Sequence, residues 1–264
     1  MNTTSLPDNS KVNCISRLEA QMLHKHIEEY FNYSVKVKEG NTVVDVGANI
    51  GVLGLYLSKK FKDIKILSFE PIKDIFEVLE ANSLLSKNNK FKSFNCGVSD
   101  QNGSIVFDYY PNIPALSNCN PKVWESNDAL ILAVKGSLED APQYWWWSKM
   151  IPSFLYPFIV SRLKRNMKKI NCNLKTLATI INENNLKKID LLKIDCEGNE
   201  LKVINGIEEK NWAIIEQLII EVHDVNNRLN YIKKLLIKKK YHLHIMQEPS
   251  LKKIGIYNIF AVRN

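Results

Sequence analysis

Cysteine is sparse and follows no ligand pattern: five residues in 264 (Cys14, Cys96, Cys119, Cys172 and Cys196), an odd number, with no C-x-x-C or zinc-type spacing. That excludes a disulfide scaffold and a cysteine-built metal site, and it fits reduced thiols in a cytosol-like compartment. Glycine (10) and proline (9) are also few. With 45% hydrophobic and 24% charged residues, this scarcity excludes collagen-like, low-complexity and disordered classes. The polar start, MNTTSLPDNSKVN, lacks the charged-then-apolar order of a secretory signal, so a cytoplasmic location is expected. No apolar run reads as a transmembrane segment. The stretch 145–160 is too short to span and carries Lys149, Pro152 and Pro157. Arginine is scarce too, at five of 36 basic residues. The net charge of +8 therefore rests on dispersed lysines, a solubilising coat rather than a nucleic-acid reader, and no nucleic-acid partner is expected.

What is present is an alternation of short, strand-like apolar runs with longer helical ones, the signature of βαβ units and a parallel sheet. The pattern predicts strands over 42–46, 64–69, 91–98, 189–194, 217–222, 241–246 and 257–262, with a further extended piece over 103–110. Helices are predicted over 50–61, 72–85, 174–184 (capped by Asn173), from Asn199, and over 228–239. A single domain over 1–264 is expected, with an N-terminal helical segment over 1–40. Residues 108–170 interrupt the rhythm with six prolines and a cluster of aromatics that includes Trp124, Tyr144, Trp145, Trp146, Trp147, Phe154, Tyr156 and Phe158. An insertion of this kind is where α/β enzymes place a lid or substrate pocket. Interfacial membrane contact and plain extra core are the competing readings.

Two stretches carry chemistry. Val43-Val44-Asp45-Val46-Gly47-Ala48-Asn49-Ile50-Gly51 is a buried strand running into a glycine turn that opens a helix. Its D-x-G-x-x-x-G spacing differs from the G-x-G-x-x-G of pyrophosphate-binding turns and suits S-adenosylmethionine, which has no phosphate. Glycine there would let a ligand approach the backbone, although a tight strand–helix junction would use the same residues. The next strand ends in Glu70-Pro71, where a carboxylate can accept both ribose hydroxyls. The bend at Gly97-Val98-Ser99 would leave room for adenine. The second stretch, Lys193-Ile194-Asp195-Cys196-Glu197-Gly198-Asn199-Glu200, pairs with Ile220-Glu221-Val222-His223. Period-two alternation aims Asp195 with Glu197, and Glu221 with His223, toward one crevice. His223 is the best single base by its ordinary pKa, with Asp195 or Glu221 to orient it. Alternatively, the hard oxygens of Asp195, Glu197 and Glu221 could hold Mg²⁺. The remaining histidines, His24, His26, His242 and His244, read as surface or strand residues.

VVDVGANIGVLGLYLS, the FEP strand end, NCGVSDQNGS and LLKIDCEGNELKVINGI followed by IIEVH together resemble the FkbM family of S-adenosylmethionine-dependent methyltransferases. The resemblance covers nearly half the chain, and its DVGANIG and KIDxEGxE pair is specific in this order. It implies an α/β, Rossmann-like class I methyltransferase fold, with seven mostly parallel strands, an antiparallel last strand and, here, an aromatic-rich lid. It also implies O-methylation of a polyketide, macrolide or peptide natural product, or of a sugar. The candidate cofactor residues are Asp45, Gly47, Ala48, Asn49, Gly51, Glu70, Pro71, Val98 and Asp195; the candidate catalytic residues are Asp195, Glu197, Glu221 and His223. The aromatic insertion favours a largely apolar small-molecule acceptor. A glycan methyltransferase and a catalytically silent S-adenosylmethionine- or partner-binding module are the alternatives.

Overall fold

The computed structural model describes residues 1–119, 130–132, 134–136, 150–247 and 255–263. The chain begins with a hairpin, β1 (Asn2–Ser5) and β2 (Lys11–Cys14), followed by the helix α1 (Arg17–Tyr30). Residues 1–40 therefore hold strands as well as the expected helix; strands of four residues are too short to register as alternation. Ser16 caps α1 by accepting from the Glu19 N–H at 3.4 Å. Fully buried Asn82 fastens this segment to the rest: its amide donates to the Asn13 carbonyl (2.9 Å) and the Ile50 carbonyl (2.7 Å), and its oxygen accepts from the Asn13 N–H (2.8 Å).

Strands and helices then alternate as β3 (Thr42–Val46), α2 (Val52–Lys60), β4 (Lys65–Phe69), α3 (Lys73–Leu85) and β5 (Phe91–Phe94). After β6 (Gly97–Ser99), β7 (Gly103–Tyr109), α4 (Tyr156–Leu163) and β8 (Lys168–Thr176), the rhythm resumes with α5 (Leu177–Glu183), β9 (Leu191–Ile194) and α6 (Glu200–Asn205). The chain ends in β10 (Gln217–His223), α7 (Arg228–Lys238), β11 (Tyr241–Met246) and β12 (Ile256–Arg263). The main sheet has the order β11-β12-β10-β9-β3-β4-β5. Strand β12 runs antiparallel to both neighbours, and β10, β9, β3, β4 and β5 pair parallel. Continuous apolar runs such as Leu218–Ile220 suit strands covered on both faces. On one face Val43, Leu191, Ile219 and Phe260 pack with α1, α2 and α3; on the other Val44, Leu192, Ile220 and Val222 pack with α5, α6 and α7. Each fully buried side chain of this kind contributes about 1.5–3 kcal/mol.

Two sequence expectations change. The predicted strand over 91–98 is two strands in different sheets: β5 ends at Phe94, and β6 pairs with β8. Asn95 makes the break, its amide donating to the carbonyls of Glu70 and Pro71 at 3.0 Å each. The helix expected from Leu174, with Asn173 as cap, begins at Leu177 with Thr176 as cap, whose hydroxyl accepts from the Thr179 N–H at 3.1 Å. Cys172 and Leu174 are instead buried at alternate positions of β8, which pairs antiparallel with β7. Of the expected lid, 108–119, 130–132, 134–136 and 150–170 are described; Trp124, Tyr144, Trp145, Trp146 and Trp147 lie outside the described residues.

Candidate active site

A cleft with about 1030 Å³ of open space sits at the C-terminal ends of β3, β4 and β9, where the direction of sheet progression reverses. Asp45, Gly47, Ala48 and Asn49 form one wall, Glu70, Pro71 and Val98 a second, and Asp195 and Glu197 a third. Tyr30, Ile27, His26 and Leu23 of α1 and, from the stretch after β6, Phe107, Pro114 and Ser117 complete its lining.

The glycine turn is held by the fold itself. Gly47 has φ +72° and Gly51 φ +80°, both left-handed. A Cβ on Gly47 would run into the Asp195 carbonyl, and one on Gly51 would meet Leu79 Cδ1. Close packing, rather than approach of a ligand, is thus the first reason for both glycines, and Gly51 lies at the α2 cap, outside the cleft lining. Gly47→Ala should lower stability by at least about 2 kcal/mol, from the left-handed φ plus displacement of β9; an unchanged urea midpoint would refute this. Asn49 anchors the turn, its backbone N–H donating to Glu70 at 3.2 Å and its amide to Glu19 of α1 at 3.2 Å. Glu70 also accepts from the Ile72 N–H at 3.0 Å. Burial nevertheless pushes its carboxyl up to about 8, more than those two bonds and the Lys193 charge bring it down.

Strand alternation places Asp45, Lys193, Asp195 and Glu221 on the α1-facing side of the sheet. Lys193 is the hub. Its ammonium lies 3.3 Å from Asp45 and 3.2 Å from Asp195, and it donates to the Gly47 carbonyl at 2.8 Å. Burial works against its charge, but Asp195 and Asp45 outweigh burial and hold its pKa well above the ordinary value. Burial pushes the Asp45 carboxyl up despite Lys193. Glu221 is driven well up by burial and then by Asp195, and the Tyr30 phenol likewise.

Behind this group stands a second one. His223, 4% exposed and outside the cleft lining, has Nε2 at 3.5 Å from Glu197 and Nδ1 at 3.4 Å from Glu200. Burial opposes its charge, yet the two carboxylates outweigh it and hold His223 well above its ordinary pKa. Fully buried Glu200 accepts from the Gly198 N–H (2.6 Å) and Arg228 (2.9 Å). Burial alone would raise it; His223, Gly198 and Arg228 together bring it down. Glu197 has φ +49°, a left-handed conformation that costs energy in a non-glycine residue and turns its carboxylate into the cleft. Burial raises its pKa while His223 draws it back. Asp195, Glu197 and Glu221 each bring one oxygen within 4.8 Å of the others. Two of these carboxylates are already neutralised, by Lys193 and by His223, so the set is a poor host for a divalent cation.

Of the residues expected from sequence, the cofactor candidates apart from Gly51 line the cleft together with Glu197; Glu221 and His223 lie outside its lining. Sequence reasoning passed over Lys193 as a hub, Glu200 and Arg228 as the backing of His223, and the whole α1 contribution. It also took His24 for a residue with no carboxylate partnering, whereas His24 is buried between Asp8 (3.7 Å) and Glu28 (3.6 Å). The i, i+4 spacing of His24 and Glu28 was an available signal.

A doubly covered sheet of this strand order, with a glycine turn at its first strand facing a strand-end glutamate, is the frame of a Rossmann-like methyltransferase. The family model described as "Methyltransferase FkbM domain" matches residues 45–248. The chain belongs to that family and is a methyltransferase enzyme. It is 29% identical over 239 residues to methyltransferase sdnD of Sordaria araneosa, covering 87% of this chain and 85% of that one. It is 28% identical over 267 residues to the 31-O-demethyl-FK506 methyltransferase FkbM of Streptomyces tacrolimicus, covering 99% and 96%. Among solved structures it is similar to methyltransferase FkbM from Methylobacillus flagellatus KT, with a TM-score of 0.49 and 14% identity, covering 91% of this chain and 51%, about half, of that one.

Proposed function

We propose that the chain transfers a methyl group from S-adenosylmethionine to a hydroxyl of a small natural product of the polyketide or peptide kind, with Glu197 taking the proton. The observation that carries this reading is the pairing, in one cleft, of a buried Glu70 beside the glycine turn with a strained Glu197. Both Glu70 oxygens accept one backbone N–H and keep lone pairs for the ribose hydroxyls. Asp45 and Asp195, two carboxylates that share the single Lys193 ammonium, leave a net negative charge for the cofactor's ammonium end, and Val98 and Pro71 form an apolar wall for adenine. When bound, S-adenosylmethionine supplies an electrophilic sulfonium methyl. The chain's own work is to hold the acceptor oxygen in line, exclude water and remove a proton. The lining residues Phe107 and Pro114 fit an apolar acceptor, and the stretch 108–170 serves as its lid. The name of the Streptomyces relative specifies a methyltransferase of 31-O-demethyl-FK506, which supports an oxygen acceptor here.

His223, paired on both ring nitrogens with carboxylates, stays protonated at neutral pH and has no lone pair to act as the base; it is a positioning residue for Glu197. Glu197→Gln should lower kcat by about 10²–10⁴-fold while leaving cofactor affinity unchanged. His223→Asn removes the cation that draws the Glu197 pKa down, so the acid limb of the pH–kcat profile should move to higher pH. A profile that stays in place would show that Glu197 is not the titrating base. No step here runs through Mg²⁺, given the neutralised carboxylates, and EDTA should leave turnover unchanged. Calorimetric titration with S-adenosylmethionine, with NADH as control, tests the cofactor. Saturable binding of NADH in its place would overturn the reading.

A further inference from the structure

Eleven large hydrophobic side chains are exposed among the described residues, and five of them, Met150, Phe154, Leu155, Phe158 and Met167, fall within eighteen residues of chain. Helix α4 and the short 3-10 turn before it, Ser153–Leu155, are apolar on both sides. One side is satisfied: Tyr156 (6% exposed) and Val160 (4%) pack with Leu130, Val134 and Ile256. The other presents Phe154 (76%) and Phe158 (68%), four residues apart, with Met150 beside them in sequence. A soluble helix normally carries polar residues on its outer side. Exposed clusters of this kind mark a binding surface.

The charge around this face selects the partner. From Ala141 to Asn182 the sequence has no Asp or Glu, against 28 in the whole chain, yet it has seven cations: Lys149, Arg162, Lys164, Arg165, Lys168, Lys169 and Lys175. Arg162, Arg165, Lys168 and Lys169 are exposed directly after the aromatic face. Aromatic residues followed by a cationic collar are the pattern of an element lying in the headgroup region of an anionic bilayer. Among the described residues no helix is long and apolar enough to cross one. The face is also joined to the cleft wall: the Asn112 amide donates to the carbonyls of Arg162 (3.2 Å) and Arg165 (3.0 Å), two residues before Pro114 of the cleft lining.

We propose that this face docks the protein onto an anionic phospholipid surface, Phe154 and Phe158 entering the acyl boundary and Arg162, Arg165, Lys168 and Lys169 meeting the phosphates. Docking stands independently of the methyl-transfer reading; combined with it, the cleft wall would lie beside the bilayer. Co-sedimentation of the whole chain with vesicles of phosphatidylcholine alone and mixed with phosphatidylglycerol tests it. The wild type should pellet with the mixed vesicles, weaken as salt rises, and pellet little with phosphatidylcholine alone. Phe154→Ser/Phe158→Ser should reduce partitioning by about tenfold or more with the melting temperature unchanged, and Arg162→Gln/Arg165→Gln should flatten the salt dependence. Absence of binding to the mixed vesicles at low salt would overturn the proposal. So would undiminished binding by the Phe154/Phe158 variant, which would mean simple attraction of a basic protein. Binding of RNA in preference to vesicles, or a dimer in light scattering that the same variant dissolves, would overturn it in favour of those partners.

Discussion

Glu70→Gln is expected to give a protein that cannot hold its cofactor and whose stability no longer falls as pH rises from 4.5 toward 8. Buried Glu70 has a folded-state pKa of about 8 against an ordinary 4.5. Because the folded value is the higher one, the favourable contribution of the protonated group is complete below pH 4.5 and is lost as pH rises toward 8. Across that window the unfolded chain gains by ionising first, by up to about 1.4 kcal/mol per pH unit. At pH 7 the cost is on the order of 3 kcal/mol, which a neutral amide removes. Gln cannot match two bound backbone N–H groups and two ribose hydroxyls with its single acceptor oxygen.

The same group makes cofactor affinity pH-dependent. Hydroxyls donating to Glu70 favour its ionised form, so binding below pH 8 must expel a proton. Affinity should therefore rise up to about tenfold per pH unit from pH 6 to 8 and then level off. Calorimetry in buffers of different ionisation enthalpy reads the released proton directly. A wild-type affinity flat across this range, together with full binding by Glu70→Gln, would rule out the ribose assignment.

How much of this was legible in the chain follows from which signals are local. Asp45, Gly47, Glu70 and Asp195 stand at strand ends or in turns, and strand period two carries them to one edge of the sheet; four or five residues of sequence suffice to see each. Lys193 sat in plain view in the KIDCEG stretch, but its role depends on Asp45 in a neighbouring strand about 150 residues away. Tyr30 and His26 line the cleft only because the N-terminal hairpin and Asn82 strap α1 across it, and no local pattern in Arg17–Tyr30 points there. His223 was correctly seen among carboxylates. The carboxylates that flank it are Glu197 and Glu200 rather than the expected Asp195 or Glu221, because Glu200 reaches it only through the fold of the helix after β9. The β8 misreading came from Asn173 and Thr176 both being good caps, with pairing to β7 deciding between them.

Lys193→Met should have the largest effect on the fold. Lys193 is 6% exposed and its partner Asp45 fully buried, so the substitution leaves Asp45 and Asp195 facing one another, with Glu221 and Tyr30 nearby, and no cation among them. Removing one member of such a buried group costs about 3–5 kcal/mol, because the charge left behind keeps its desolvation penalty and loses its compensation. It also frees the Gly47 carbonyl, the one tie between the glycine turn and a side chain of β9. Two contributions can be separated. Lys193→Met/Asp45→Asn discharges the orphaned carboxylate and should recover most of the stability in urea melts, while the glycine turn remains untied and cofactor affinity stays low. If stability and affinity recovered together, Lys193 would be only a counter-ion to Asp45. Recovery of stability with an affinity well below that of Asp45→Asn alone would show that the same ammonium both neutralises the sheet edge and sets the turn on which the cofactor must rest.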